Sequence, residues 1–325
     1  MSNVMRQKMA DTIRFLAADM VQQANSGHPG APMGLADIAV VLSEHMSHNP
    51  KDTTWLNRDR LVFSGGHGTG LIYSLNHLWG YGLEIDDLKQ FRQLNSKTPG
   101  HPEYRHTPGI EITTGPLGQG IANAVGFSMA SKYVGHKVNS ETAALIEHSV
   151  YCLCGDGDLE EGISYEACSI AGHMGLDNLV LIYDSNRITI EGSTDLSLSE
   201  NIRDRFESQQ WAVLEIDGHN FDEIDGALTQ AKTITRPVLI IANTVIAKGA
   251  GKLEGSHHAH GAPLGHDVIK AAKVAAGFDP ETTFAVDADV LERFRCAIEK
   301  GDLAQRELNH RLKELPLMEQ NEAYE

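Results

Sequence analysis

The 325-residue chain is poor in the features that would tie it to a membrane, a nucleic acid or an oxidising compartment. No apolar run reaches the ~20 residues needed to span a bilayer. The N-terminal segment, MSNVMRQKMADTIRFLAADMVQQANSG, lacks the continuous apolar core of a signal peptide. There is no basic block and no basic stripe interleaved with aromatics; 27 Lys and Arg stand against 44 Asp and Glu, a formal charge of −17. That balance disfavours non-specific binding to nucleic acid or an anionic membrane. Four cysteines are too few for a disulfide framework in a chain of this length, and no CxxC pair suggests zinc. Cys152 and Cys154 alternate along one expected strand and Cys168 falls in an expected helix, which predicts buried thiols. A cytoplasmic protein is expected. Any phosphate it binds must be held locally, by helix N-termini, a metal, or His and Lys side chains.

What is present is an alternation of apolar β-branched runs with helical periodicity. Met5, Met9, Ile13, Leu16 and Met20 recur at helical spacing, with Gly27 placed to cap the helix. Farther on, SVYCLC precedes a helical stretch, EEGISYEACSIAGHMG, whose Ile163, Ala167, Ile170, Ala171 and Met174 share a face. NLVLIYDSN, WAVLEIDG, a helical FDEIDGALTQAKTI and RPVLIIANTVIA follow. Near-continuous apolar strands separated by helices predict an α/β fold, an open and mostly parallel sheet covered on both faces. Residues 1–286 are read as that domain. From Asp287 the pattern turns charged and helical, so 287–325 is read as a helical extension or the start of a linker.

Within this pattern, CLCGDGDLEEG breaks a buried strand with Gly-Asp-Gly, and the next strand ends at Asn186. In a right-handed βαβ unit both strands finish on one edge of the sheet, so Asp156 and Asn186 can converge there. Gly155 and Gly157 allow close backbone approach, and a helix expected to begin near Glu160 points its N-terminus at the same edge. One carboxylate, one amide oxygen and a carbonyl from NRITI are hard oxygen ligands suited to Mg²⁺ or Ca²⁺, with room left for phosphate oxygens. Ordinary turn chemistry is the other reading of the same residues. No G-x-G-x-x-G opens this helix and no GK[ST] follows it, so neither dinucleotide fingerprint nor P-loop applies.

Taken with the other motifs, the sequence resembles the transketolases across nearly its whole length. The resemblance is carried by SGHPGAPMG with His28, SGGHG with His67, KTPGHPE with His101, TTGPLGQGIANAVG, GDGDLEEG, YDSNRITIEG, and SHHAHGAPLG with His260. It implies a thiamine-diphosphate-binding domain of the diphosphate type. Asp156, Asn186 and the Ile188 carbonyl would hold a cation (Mg²⁺, with Ca²⁺ or Mn²⁺ possible), and Gly157 would back the diphosphate. Gly115, Pro116 and Leu117 would line the cofactor. By the same resemblance His67 and His260 approach the diphosphate and His101 meets the hydroxyl end of a sugar donor, while His28 with His260 assists removal of a proton from it. Imidazole suits that work, since its ordinary pKa lies near operating pH. Glu161 matches a glutamate at the family's dimer interface; Glu160 and Glu161 also read as first-turn acids favoured by the helix dipole. His257 and His258 read as loop residues, and Lys248 as an exposed lysine.

The resemblance implies transfer of a two-carbon ketol unit between sugar phosphates, with a pyrimidine-binding domain or subunit as partner and assembly as a homodimer or heterotetramer. No nucleic-acid or membrane partner is expected. The chain would be the diphosphate-binding subunit of a split enzyme or a piece of a full-length one, inactive by itself. Two alternatives stand beside this: an α-type subunit of a 2-oxo-acid dehydrogenase, and a non-catalytic half that binds cofactor or a partner.

Overall fold

The computed structural model describes residues 1–139 and 144–314. Helices α1 (Asn3–Ala24), α2 (Gly30–Gly34) and α3 (Ala36–His45) precede strand β1 (Arg60–Phe63). Helices α4 (Gly70–Trp79), α5 (Ile85–Lys89) and α6 (Gln119–Val138) come next. The central βαβ unit is β2 (Val150–Gly155), α7 (Asp156–Glu160), α8 (Gly162–Met174) and β3 (Leu179–Ser185). A small hairpin, β4 (Ile188–Thr189) and β5 (Gly192–Ser193), leads to α9 (Ile202–Ser208), β6 (Ala212–Asp217), α10 (Phe221–Ala231) and β7 (Val238–Asn243). Helices α11 (His266–Ala275) and α12 (Ala288–Glu314) complete the described chain.

Five strands form one parallel sheet in the order β1-β2-β3-β7-β6. Side chains alternate across it, as the pleat requires. Leu61, Phe63, Tyr151, Leu153, Ile182 and Ile240 face one core with α1, α3, α4 and α10. Val62, Cys152, Cys154, Leu181 and Ile241 face a second core with α6 and α8. The doubly covered parallel sheet expected from the sequence is what forms. Cys152, Cys154 and Cys168 are buried free thiols, as expected, and Cys296 on α12 is an exposed one. Among the described residues no helix is long and apolar enough to cross a membrane.

Three local expectations are corrected. Helix α1 is closed by Asn25 in the left-handed region (φ 49°) rather than by Gly27, since a short amide side chain tolerates that conformation. The helix after Gly-Asp-Gly does not start near Glu160: α7 begins at Asp156, and extended backbone at Glu161 separates it from α8. The expected apolar face of α8 is divided. Ala167 and Ala171 are buried beside Ser164, Cys168 and Gly172, whereas Ile163, Ile170 and Met174 point outward. Small residues win the inner positions because α8 packs close to α6 and Trp211; a Cβ at Gly172 would meet the Gln209 carbonyl oxygen.

The charged helical stretch is α12, and its Val290, Phe294 and Ala297 enter the same core as α1, α3 and α4. Lys300 Nζ donates to the carbonyls of Glu44 and Met46, both at 2.9 Å, fixing α12 to the end of α3. Residues 315–325 of the expected extension lie outside the described residues. Gly301 lets α12 come this close: a Cβ there would sit 2.0 Å from the His48 carbonyl oxygen. In an exposed helix Gly→Ala stabilises by about 1 kcal/mol. Here Gly301→Ala should instead cost about 1–3 kcal/mol through overpacking. Urea unfolding checks this, and a raised midpoint would show that α12 is not docked as described.

Candidate functional site

A cavity of about 560 Å³ opens at the carboxyl ends of β1, β2 and β3, where open α/β sheets bind ligands. It is lined by His28, His67, His101 and His260, by Gly115 and Leu117, and by Gly155, Asp156, Gly157, Asn186 and Ile188. Thus residues from seven separate sequence motifs meet in one place. Pro116 stands exposed between two lining residues and does not line the cavity, whereas Glu160 and Glu161 do. Lys248 pairs with Glu254 at 3.2 Å away from the cavity. His257 and His258 sit in a short 3-10 turn outside it.

Register brings the oxygen donors together. Gly155 pairs with Asp184 across β2 and β3, so Asp156 and Asn186 leave adjacent strand ends side by side. Asp156 is buried; its Oδ1 accepts from Tyr183 Oη at 2.5 Å, and its Oδ2 has no hydrogen-bond partner. Burial pushes the Asp156 carboxyl up to about 6 despite the tyrosine. Asn186 Oδ1 accepts from the Ile188 amide at 2.9 Å. A buried orphan carboxylate oxygen beside an amide oxygen and a backbone carbonyl fits a hard divalent cation. The lining adds Asp158, Glu160, Glu161, Asp184 and Glu191, with no lysine or arginine among the described residues that form it. Such a wall repels a bare diphosphate. A dication between them reverses that repulsion. Open space around the Cα of Gly155, with no atom within 4 Å of an added Cβ, leaves room for the ligand at the strand end.

Asp158 organises the floor and was missed in the sequence. Its Oδ1 accepts from Ser64 Oγ at 2.7 Å and from the Gly118 amide at 2.8 Å, and its Oδ2 accepts from the Gly155 amide at 3.0 Å. One buried carboxylate therefore joins the loop after β1, the loop before α6 and the Gly-Asp-Gly turn. Gly118 takes a left-handed φ of 76°, which favours glycine, and Gly120 packs so tightly that a Cβ would be 2.5 Å from Ser64 Cα. The acid at the fourth position of GDGD was the available signal.

The histidines form a cluster. Ring centroids of His28, His67 and His260 lie 4.9, 5.3 and 5.6 Å apart. Arg92 Nη2 lies 3.4 Å from His28 Nδ1; arginine can only donate, so Nδ1 accepts and the His28 proton sits on Nε2. His101 is exposed at the rim, its ring against Gly115. Burial lowers His28 to about 4 and His67 to about 3, with the neighbouring imidazoles adding to both shifts; burial also lowers His260. The rings are neutral at pH 7; in His28 the one acceptor nitrogen is the Nδ1 that faces Arg92.

The segment carrying His260 is held from behind by residues the sequence did not mark. The Val245 amide donates to His219 Nε2 at 2.9 Å, so Nδ1 carries the proton and donates to Asp37 Oδ2 at 2.7 Å. Arg14 Nη2 donates to the same oxygen at 2.5 Å. Gly30 brings the His28 loop against this segment; a Cβ there would lie 2.7 Å from the Ala259 carbonyl oxygen.

Fold and site together define an open-sheet α/β domain whose ligand cavity lies at the carboxyl ends of its strands. Comparison with known proteins supplies the family. The family model described as transketolase, thiamine diphosphate binding domain matches residues 5–325. A transketolase of Campylobacter jejuni superposes with a TM-score of 0.94 at 60% identity, covering 97% of this chain and 49% of that one. The Pichia stipitis transketolase in complex with sedoheptulose-7-phosphate gives a TM-score of 0.94 at 44% identity, covering 95% of this chain and 46% of that one. Transketolase 1 of Pasteurella multocida is 49% identical over 310 residues, 94% of this chain and 46% of that relative. The chain belongs to the transketolase family, as its thiamine diphosphate binding domain. It spans less than half the length of these relatives.

Two outcomes follow from the site's internal chemistry. Asp158→Asn turns one acceptor into an NH₂ facing a backbone N–H or the Ser64 hydroxyl, and should destabilise by about 1–3 kcal/mol. An unchanged urea midpoint would contradict the three-way tie. The histidines predict a pH effect. An unfolded histidine titrates near 6.5, whereas folded His67 titrates at about 3. Between those values the unfolded chain holds more protons, so stability is present above 6.5 and is lost as pH falls. His67→Gln should therefore lose less stability than the parent between pH 6.5 and about 4. Parallel stability–pH curves for the two proteins would refute the assignment.

Proposed function

We propose that this chain supplies the diphosphate and cation side of an enzyme that transfers a two-carbon ketol unit between sugar phosphates. The observation that carries the proposal is the cavity itself, where the orphan Asp156 oxygen and the neutral imidazoles of His28, His67 and His260 converge. Asp156, Asn186 and the Ile188 carbonyl would hold Mg²⁺, with Gly155 leaving space for the diphosphate and Gly157 backing it. Thiamine diphosphate, when bound, supplies the carbon nucleophile and electron sink that sugar carbonyl chemistry needs. The chain's own groups position and move protons. His28 with His260 assists removal of a proton from the donor hydroxyl, His67 hydrogen-bonds the diphosphate, and His101 at the rim meets the sugar's hydroxyl end. The sugar phosphate named with the Pichia stipitis structure supports this substrate class.

The remaining half of the chemistry belongs to a pyrimidine-binding domain, as another chain or as the rest of a longer one. Ile163, Ile170 and Met174 on α8, with Met129, Tyr133 and Val134 on α6, make an outward apolar face suited to such a partner or to a second copy. Glu161 at the cavity rim is placed near the same face and would link paired sites. We assign residues 1–286 to the cofactor-binding unit and 287–325 to a helical extension or the start of a linker, of which α12 packs on that unit's core, and place the protein in the cytoplasm, in keeping with its buried unpaired thiols. An α-type 2-oxo-acid dehydrogenase subunit is not favoured, because the relatives found are transketolases.

The test is ketol transfer from a ketose phosphate to an aldose phosphate by the assembly that includes a pyrimidine-binding domain. His28→Ala and His260→Ala should each slow transfer by about 10²–10⁴ with cofactor affinity little changed. His67→Ala should chiefly weaken the cofactor, and Asp156→Ala should abolish Mg²⁺-dependent thiamine diphosphate binding in calorimetry. Losses under tenfold at all three histidines, or full binding by Asp156→Ala, would sink the assignment. No transfer by the assembled parent protein would favour a non-catalytic half.

A further inference from the structure

Asp184 is a buried carboxylate on the cavity wall that the chemistry above does not use. It is 2% exposed and lies in β3 between Gly155 of β2 and Ala242 of β7. One oxygen, Oδ1, accepts from Thr244 Oγ1 beyond the end of β7. The other, Oδ2, accepts from Asn186 Nδ2 at 2.9 Å. Asn186 Oδ1 then points to the Ile188 amide. We propose that Asp184 is a positioning residue, fixing the Asn186 carboxamide so that its oxygen rather than its NH₂ is offered to the cation. The inference rests on the reading of Asp156, Asn186 and Ile188 as the cation's ligands.

The argument is one of hydrogen-bond polarity. The two ends of a carboxamide have nearly the same shape, but a flipped Asn186 would aim two donors at a dication. Ionised, as a neighbouring dication favours, Asp184 accepts and does not donate, so only one orientation of Asn186 bonds to it. Thr244 occupies the other carboxylate oxygen and stops the group from rotating away. Burial removes water as an alternative partner. The NH₂···carboxylate bond also draws charge toward the amide oxygen, making it a better ligand, as outer-shell partners of metal ligands do.

The test is a double-mutant cycle read by calorimetry, with Mg²⁺ titrated into the metal-free assembled protein in the presence of thiamine diphosphate. Asp184→Ala should weaken Mg²⁺ about 10–100-fold, the usual loss on removing such a partner. Asp184→Asn, which keeps the shape, should still weaken it, because its amide can bond either orientation of Asn186. In an Asn186→Asp background both ends are oxygens, orientation no longer matters and the two facing carboxylates repel, so Asp184→Ala should there cost under about threefold or strengthen binding. Unchanged affinity in both Asp184 variants, while Asp156→Ala abolishes binding, would overturn the positioning role and leave the cation site standing. An equal loss in both backgrounds would also overturn it, since a purely structural role of Asp184 is indifferent to residue 186. Unaltered binding in Asp156→Ala would remove the cation site and the inference with it.

Discussion

The site depends first on the three hydrogen bonds that converge on Asp158. The sheet positions its strand ends to within the tolerance of loops, yet a ligand that touches three loops needs them fixed to one another. Ser64, Gly118 and Gly155 are far apart in sequence, and only a small acceptor with two oxygens can collect a hydroxyl and two backbone amides at one point. The carboxylate is 1% exposed, so no water competes for these donors. Glycines at 118 and 120 are the corollary, because the loops can share one acceptor only if their backbones nearly touch.

Charge imposes the second constraint. A chain of net charge −17 builds its ligand cavity from carboxylates, amides and imidazoles and puts no lysine or arginine into the described lining. Binding an anionic cofactor there is unfavourable unless a cation comes with it. Arg92, outside that lining but 3.4 Å from His28 Nδ1, puts one positive charge beside the histidines and adds to the lowering of His28 and His67. Under the proposed function, pairing carboxylates with an exchangeable cation would keep cofactor capture apart from proton transfer.

This division also explains what the sequence disclosed. Gly-Asp-Gly and Asn186 were legible because each is a short local pattern at a strand end, and strand order is restricted by the handedness of βαβ units. The histidines were legible as glycine-rich loop residues, and the fold brings them within one cavity. Asp158 and Asp184 lay inside quoted motifs, yet their roles were hidden. Ser64 is 94 positions from Asp158 and Thr244 is 60 from Asp184, so the partners that give these acids meaning are visible only after folding. His219 and Asp37 were invisible for the same reason. The exposed row on α8 shows a different limit. Helical periodicity identifies an apolar face, but not whether it meets the same chain or another surface.

The histidine cluster is the point where burial and function pull in opposite directions. Crowding three imidazoles out of water holds His28 at about 4 and His67 at about 3, well below the value at which an imidazole is most effective as a base near neutrality. The depression is dominated by burial and deepened by neighbouring rings, so it is set by the field in the cavity and not by the rings themselves. Negative charge placed within a few ångströms favours the protonated form and raises such values. Under the proposed function the negative charge of a bound diphosphate would raise these values, while its dication and the thiazolium of thiamine would oppose that rise. The cavity keeps its imidazoles unprotonated, and the net charge of an occupant would decide which way they shift. Burial is thus what makes these imidazoles sensitive to the charge of a ligand, since a field acts more strongly out of water.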